Sequence, residues 1–327
     1  MKKILIITAV ACVLALAAVG VSMVGGAFGT GNNGNSLVLT STAETKTGTA
    51  LSASASVSTL NSASTSILSS TDGSALDVTG MFTERDLEQT ANVDEASAVE
   101  LVSGEDVEID EEGVYVIRGD ASEVTITVNA AEDAKVQLVL DGVSITNTNA
   151  PAIYVVSADK VFITLTDSKN KLEVSGSYET ASLDSVIISK SDLTLNGTGT
   201  LEIVSAKGNG ITSKDDLKIT GGTYTITAAV DGLKANDSIR IYDGSFTITA
   251  NKDALHSENN KDSALGYIYI RYAALDISAA DDGIQGNAIV QIDGGAITIN
   301  TSAEGIEGTW VQINGGEISI YATDDGI

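Results

Sequence analysis

From about residue 113 onward the chain is written in short alternating runs. "GVYVIRG" is the first, with apolar and polar residues trading places as in a strand whose two faces differ. The pattern then becomes repetitive. "LKITGGTYTIT", "IRIYDGSFTIT", "VQIDGGAITIN" and "VQINGGEISIY" share one grammar: an alternating strand, a two-residue turn with Gly, and a second alternating strand. A looser version runs upstream in "VQLVLDGVSIT", "VFITLTDSKNKLEV" and "LTLNGTGTLEIV". Each unit also carries an apolar anchor just after an acidic turn, at Ile211, Leu233, Leu255, Ile284, Ile306 and Ile327. The spacings are 22, 22, 29, 22 and 21, and the long one contains the polar insertion "ENNKDSA".

A period near 22 with two or three short strands predicts one coil of a solenoid, because such a unit buries its apolar residues only against its neighbours. The inward ladders expected are Leu217/Ile239/Ile268/Val290/Val311, Ile219/Ile241/Ile270/Ile292/Ile313 and Tyr224/Phe246/Leu275/Ile297/Ile318. The fold class is therefore all-β, a right-handed parallel β-helix, over residues 121–327. The repeat stops in mid-unit at Ile327, and the sequence is read as truncated there.

The N-terminal part is written differently. Residues 1–29 begin with Lys2 and Lys3 and continue as an apolar run, which reads as an export signal or a retained membrane anchor. A lipoprotein signal fits less well, since "AVAC" lacks the usual Leu and the apolar run continues past Cys12. Residues 30–76, dominated by Ser, Thr, Ala and Gly, read as a flexible linker. Residues 77–120 begin with an acidic, mixed stretch and are expected to cap the helix. The protein is thus expected to be exported and extracellular or at a bacterial cell surface, touching membrane only through an uncleaved N-terminal segment.

Charge narrows the partners. With 44 acids against 18 bases the net charge is −26, which argues against nucleic acid as a partner. The single cysteine, Cys12, lies in the N-terminal run, so the folded part has no disulfide. One histidine and no other cysteine exclude zinc-ligand and Cys–His chemistry, and no Ser-His-Asp spacing occurs.

The acids recur in register. Two residues before each anchor stand Asn209, Asp231, Asp253, Asp282, Glu304 and Asp325. Stacked coils would place these about 5 Å apart, with Asp281 and Asp324 beside them. Like charges so stacked repel, and Ca2+, which takes six to eight oxygen ligands, would relieve them. The competing reading is turn chemistry alone, Asp followed by a Gly of positive φ. Just after the anchors, Lys234 and His256 would suit a lyase base working beside a metal. The outward side of each coil's first strand offers Lys218, Arg240, Tyr242, Tyr267, Tyr269, Arg271, Gln291 and Trp310. Aromatic faces with Arg and amide side chains suit contact with a glycan.

The runs "AKVQLVLDGVSITNTNAPAIYVVSADKVFITL", "ISKSDLTLNGTGTLEI", "GITSKDDLKITGGTYTITAAVDGLKANDSIRIYDGSFTITANKDAL" and "ADDGIQGN" resemble the bacterial carbohydrate-binding domain-containing family over roughly residues 85–327. That resemblance implies a pectate-lyase-like parallel β-helix, generally non-catalytic, binding cellulose- or polygalacturonate-like polysaccharide. It also implies Ca2+ on the matching acids Asp231, Asp253, Asp281, Asp282 and Glu304. Glu304 stands where Asp is usual and Ala254 where Gly is usual. The function expected is a non-catalytic polysaccharide-binding protein. A Ca2+-dependent pectate-type lyase and a structural adhesin remain open beside it.

Overall fold

The computed structural model describes residues 40–44, 50–54 and 75–327. The chain divides into two compact units, 1–65 and 66–327. In the first, Thr40–Glu44 pairs antiparallel with Ala50–Ser54, inside the stretch read as linker. The export segment 1–29 and most of the linker lie outside the described residues. Among the described residues, no helix is long and apolar enough to cross a membrane.

In the second unit nearly every strand pairs in parallel with the equivalent strand one coil away, which makes a β-helix of three faces. The first face holds Ser185–Ser189, Asn209–Ser213, Leu233–Ala235, Leu255–Ser257 and the starts of Ile284–Ile292 and Ile306–Ile313. The second holds Lys160–Leu165, Asp192–Gly197, Asp216–Ile219, Ser238–Ile241, Tyr267–Ile270 and the ends of the two long strands. The third holds Thr200–Ser205, Thr223–Ala228, Ser245–Ala250, Ala274–Ala279, Ala296–Thr301 and Glu317–Ile320. The coils begin earlier than residue 121, since Ser97–Glu100 already pairs with Gly113–Ser122.

All three apolar ladders form in the expected register. Tyr224 stacks on Phe246 with ring centroids 5.0 Å apart and planes 15° from parallel. The side chains point inward because the strands alternate: on the third face, Thr225, Thr227, Thr247 and Thr249 are exposed while the Ile residues between them are buried. The turn glycines Gly222, Gly244, Gly295 and Gly316 all take positive φ. The glycines after the acids do not. A Cβ on Gly232 would lie 2.7 Å from the Ala254 carbonyl oxygen, and one on Gly283 would lie 2.6 Å from that of Gly305. Glycine is required there because the next coil's backbone approaches, not because of turn conformation.

Residues 76–89 add no strand. This segment contains one short 3-10 turn, Arg85–Leu87, and lies as a strap over the outside of the second face. Leu76 and Met81 are buried there in a separate apolar cluster with Tyr267, Tyr269, Ala288 and Ile289. The stretch read as a cap therefore divides: its first part covers a flank and its last part builds coils.

Candidate functional site: an acidic corner with two halves

The acids stand at the corner where the third face turns into the first. Asp231, Asp253 and Asp282 are buried, at 0, 0 and 3% exposure. Their carboxylates point along the coil axis into the next turn. The Asp231 N–H donates to Asn209 Oδ1 at 3.0 Å, Asp253 N–H to Asp231 Oδ1 at 3.4 Å, and Asp282 N–H to Asp253 Oδ1 at 3.0 Å. One polar side chain per coil thus satisfies one backbone donor of the next, which explains why Asn serves equally at the first position. The chain of bonds ends at Asp282, whose Oδ1 is buried without a partner among the described residues.

Burying three carboxylates is costly unless each is compensated. The first two are compensated by the protein. Lys234 Nζ lies 2.7 Å from Asp231 Oδ2, and Lys252 Nζ lies 2.7 Å from Asp253 Oδ2. His256 Nδ1 lies 2.8 Å from Asp253 and 3.6 Å from Asp231. Burial alone would push these acids up. Hydrogen bonds from His256 and Lys234 instead hold Asp231 down at about 2, and His256 and Lys252 keep Asp253 below its ordinary value. Burial opposes the charged imidazole, yet the two carboxylates raise His256 to about 9.

Further along the column the pattern reverses. Burial raises Asp282 to about 8, and hydrogen bonding and repulsion from Glu304, Glu307 and Asp253 push the same way. The change follows the outward column just after the anchors. Register aligns Lys234, His256, Gln285 and Glu307 on successive coils. The residue three places after the acid is thus a cation, a cation, an amide and then another acid. Asp281, exposed, offers a carboxylate oxygen within 4.8 Å of Asp253 and Asp282. Glu304 is half-buried, while Asp324 and Asp325 are exposed. Sequence reading found Lys234 and His256 but missed Lys252, Gln285 and Glu307, although the last two sit in the same aligned column.

The expected glycan surface is placed less openly than a bare sheet face. Lys218, Arg240, Tyr267, Tyr269 and Gln291 are buried, and the strap contacts them or their neighbours. Asp86 sits between Lys160 and Lys218, the Arg240 guanidinium reaches the Met81 carbonyl at 3.5 Å, and Leu76 N–H donates to Gln291 Oε1 at 2.8 Å. The physical reason is a set of apolar residues, Leu76, Met81 and Phe82, within an otherwise polar segment. They bury themselves on the nearest aromatic surface. Tyr242 and Arg271 are half-buried at the strap's edge, with Arg271 4.9 Å above the Tyr242 ring and 5.0 Å above that of exposed Tyr272. Trp310 stays open at 48% exposure.

Among the described residues, no strap lies over the first face at the coils that hold the acids, where Lys234 and Lys252 reach solvent and His256 is buried. The outward side of that face presents two polar grooves flanking the 258–264 insertion. Lys252, His256, Gln285, Asn287, Glu307 and Thr309 line one. Lys214, Lys234, Asn236, Asp237, Asn259 and Lys261 line the other.

Stacked coils, apolar ladders and a polar corner define a parallel β-helix. The chain belongs to the carbohydrate-binding domain-containing protein family, which matches residues 103–327. A carbohydrate-binding domain-containing protein of Acetivibrio thermocellus is 40% identical over 212 residues, 63% of this chain and 74% of that protein. The structure of a polysaccharide lyase-like protein from C. thermocellum, a gadolinium derivative, matches with a TM-score of 0.58 and 29% identity. It covers 71% of this chain and 96% of that one.

Proposed function

We propose that the protein is an exported, surface-held, non-catalytic polysaccharide-binding module whose acidic corner takes Ca2+ at its C-terminal half. The observation that carries the metal is Asp282, next to Asp253, Asp281, Glu304 and Glu307. Among the described residues, its buried Oδ1 has no partner and its carboxylate is ion-paired with no Lys, Arg or His. Hard oxygen ligands in this number suit Ca2+. When bound, the ion would replace the proton that Asp282 otherwise retains. The solved relative was prepared as a gadolinium derivative, and gadolinium is also a hard, oxygen-seeking cation. At Asp231 and Asp253 the charges are already met by Lys234, Lys252 and His256, so those two carboxylates need no ion.

The polysaccharide itself is proposed to lie along the open first face, in the two grooves, with Trp310 and the Tyr242–Arg271–Tyr272 group as further contacts. Their Lys, Gln, Asn and Thr side chains supply hydroxyl and carboxylate partners at the coil spacing. Cellulose- and polygalacturonate-like chains are the intended ligands. The lyase reading gains little from the geometry. Lys234 is tied to Asp231, and His256 is held protonated by two carboxylates, so neither is free to accept a proton.

The test is retention of the protein on cellulose and on polygalacturonate, with Ca2+ and with chelator, while following the absorbance of unsaturated uronate. Ca2+-dependent retention without product is the expected result. Product formation, lost in Lys234→Ala, would instead make the protein a lyase. Absence of retention on both polymers would favour the adhesin reading.

A further inference from the structure

The strap over the second face has the chemistry of a stand-in. Its one buried acid, Asp86, lies between the ammonium groups of Lys160 and Lys218 and close to the Thr194 hydroxyl. Its Phe82 ring stands edge-on to Tyr242, with centroids 5.3 Å apart, and 6.3 Å from Tyr269. A carboxylate between cations beside an apolar surface on aromatic rings is also what an acidic sugar presents to a protein.

The fit between strap and face is incomplete. Asn196 Nδ2 is buried on the second face and has no hydrogen-bond partner among the described residues. Unmet buried donors are uncommon in a permanent interface. The strap is also held without strand pairing, by Asp86, by Gln89 on Gly197 and Thr220, by the Leu76 N–H on Gln291, and by its small apolar cluster. Segments with few backbone ladder bonds open at lower free energy than packed coils.

We infer that residues 76–89 are a displaceable occupant of the second face, and that the surface beneath binds a carboxylate-bearing polysaccharide in their place. A ligand carboxylate takes the position of the Asp86 side chain between Lys160 and Lys218. Arg240, one coil beyond Lys218 in register and ion-paired with Asp216 at 2.6 Å, offers the next charged sugar the N–H that now reaches the Met81 carbonyl of the strap. Asn196 donates to a sugar hydroxyl that the strap does not supply. This inference rests on the polysaccharide reading above, uses a face that reading touches only at the Tyr242–Arg271–Tyr272 edge, and needs no metal.

The experiment uses the full chain in chelator, which silences Ca2+-dependent contacts, with polygalacturonate as probe and cellulose as the neutral comparison. Asp86→Asn combined with Phe82→Ala should raise retention on polygalacturonate at least tenfold, and adding Lys218→Ala should remove the gain. A cooperative thermal transition and a β-type circular dichroism spectrum would establish that the variants fold. Independently, amide hydrogen exchange of the unaltered protein should speed up across 76–89 when polygalacturonate is added, with Asp216–Ile219 and Ser238–Ile241 unchanged. Unchanged retention in a folded variant overturns the inference, as does a strap equally or more protected with polymer. If the variants do not fold, the exchange result decides alone. Ca2+-dependent retention of the unaltered protein without the variant's gain leaves the module reading standing and removes this one. The reverse pattern removes the metal-dependent reading and leaves this one.

Discussion

Asp231 and Asp282 occupy the same position two coils apart, and they solve opposite problems. Both are buried, both follow the same turn, and both precede a glycine that the next coil's carbonyl requires. Around Asp231 the chain supplies its own cations, and the acid is held ionised. Around Asp282 it supplies more acids, and the carboxyl is held protonated well into the neutral range. A repeat therefore fixes geometry without fixing chemistry. The residue three places after the acid decides the state: Lys234 and His256 on one side, Gln285 and Glu307 on the other.

The sharpest way to break this contrast is to remove an acid whose cations are in place. Asp253→Ala takes from Lys252 and His256 their nearer carboxylate, leaving them Asp231 at 3.9 and 3.6 Å, and leaves the Asp282 N–H without its acceptor. Losing one side of a buried pair costs about 3–5 kcal/mol, so urea unfolding should show a large fall in midpoint. Asp253→Asn, which keeps the acceptor, should fall less. At the other half the effect has the opposite sign. Ca2+ in hundredfold excess over its dissociation constant should stabilise by about 2.7 kcal/mol, read as a rise in melting temperature. Asp282→Asn should abolish most of that rise and leave the metal-free protein no less stable, since it replaces a protonated acid.

Gly232→Ala tests the backbone approach shared by both halves. Its Cβ meets a carbonyl oxygen 2.7 Å away, and overpacking of this kind costs about 1–3 kcal/mol. The smallest effect expected is on pH dependence. The folded pKa of His256, about 9, lies above its ordinary 6.5. Its ion pairs contribute fully below pH 6.5 and fade as pH rises through about 9. Asp231 runs the other way, contributing above its ordinary 3.8 and losing that contribution as pH falls through about 2. Asp282, whose folded pKa of about 8 lies above its ordinary 3.8, also loses stability in chelator as pH rises through about 8. Melting temperature in chelator should therefore decline from pH 6.5 to 9 through both groups, the His256 share being small because Lys234 and Lys252 still face the acids once His256 is neutral. In His256→Gln that decline should shrink.

The coils were legible in the chain because their signal is periodic. Anchors 22 residues apart fixed the register, and one register placed all three apolar ladders and the acidic corner together. Compensation was half legible. Lys234 and His256 stand out in an acidic protein, whereas Glu307 is inconspicuous until its column is aligned with theirs. The strap was not legible as a cover. Leu76, Met81, Phe82 and Asp86 have no period, and their partners, Tyr269, Lys160 and Lys218, lie from 74 to nearly 190 residues further along. Nothing local reports such contacts, so a face with outward aromatics read as open when a distant segment covers much of it.

The insertion 258–264 has a use of a different kind. Its coil is 29 residues long rather than 22, yet Leu255 still pairs with Ile284 and Ile239 with Ile268, so the added residues leave the scaffold undisturbed. They form a projecting loop at the border of the first and second faces, between the two grooves. Such a position is an exchangeable socket: a longer or differently composed loop could be installed there while every ladder on either side keeps its partners. Selection, or an engineer, could alter what the surface recognises by rewriting seven residues and leaving the repeat alone.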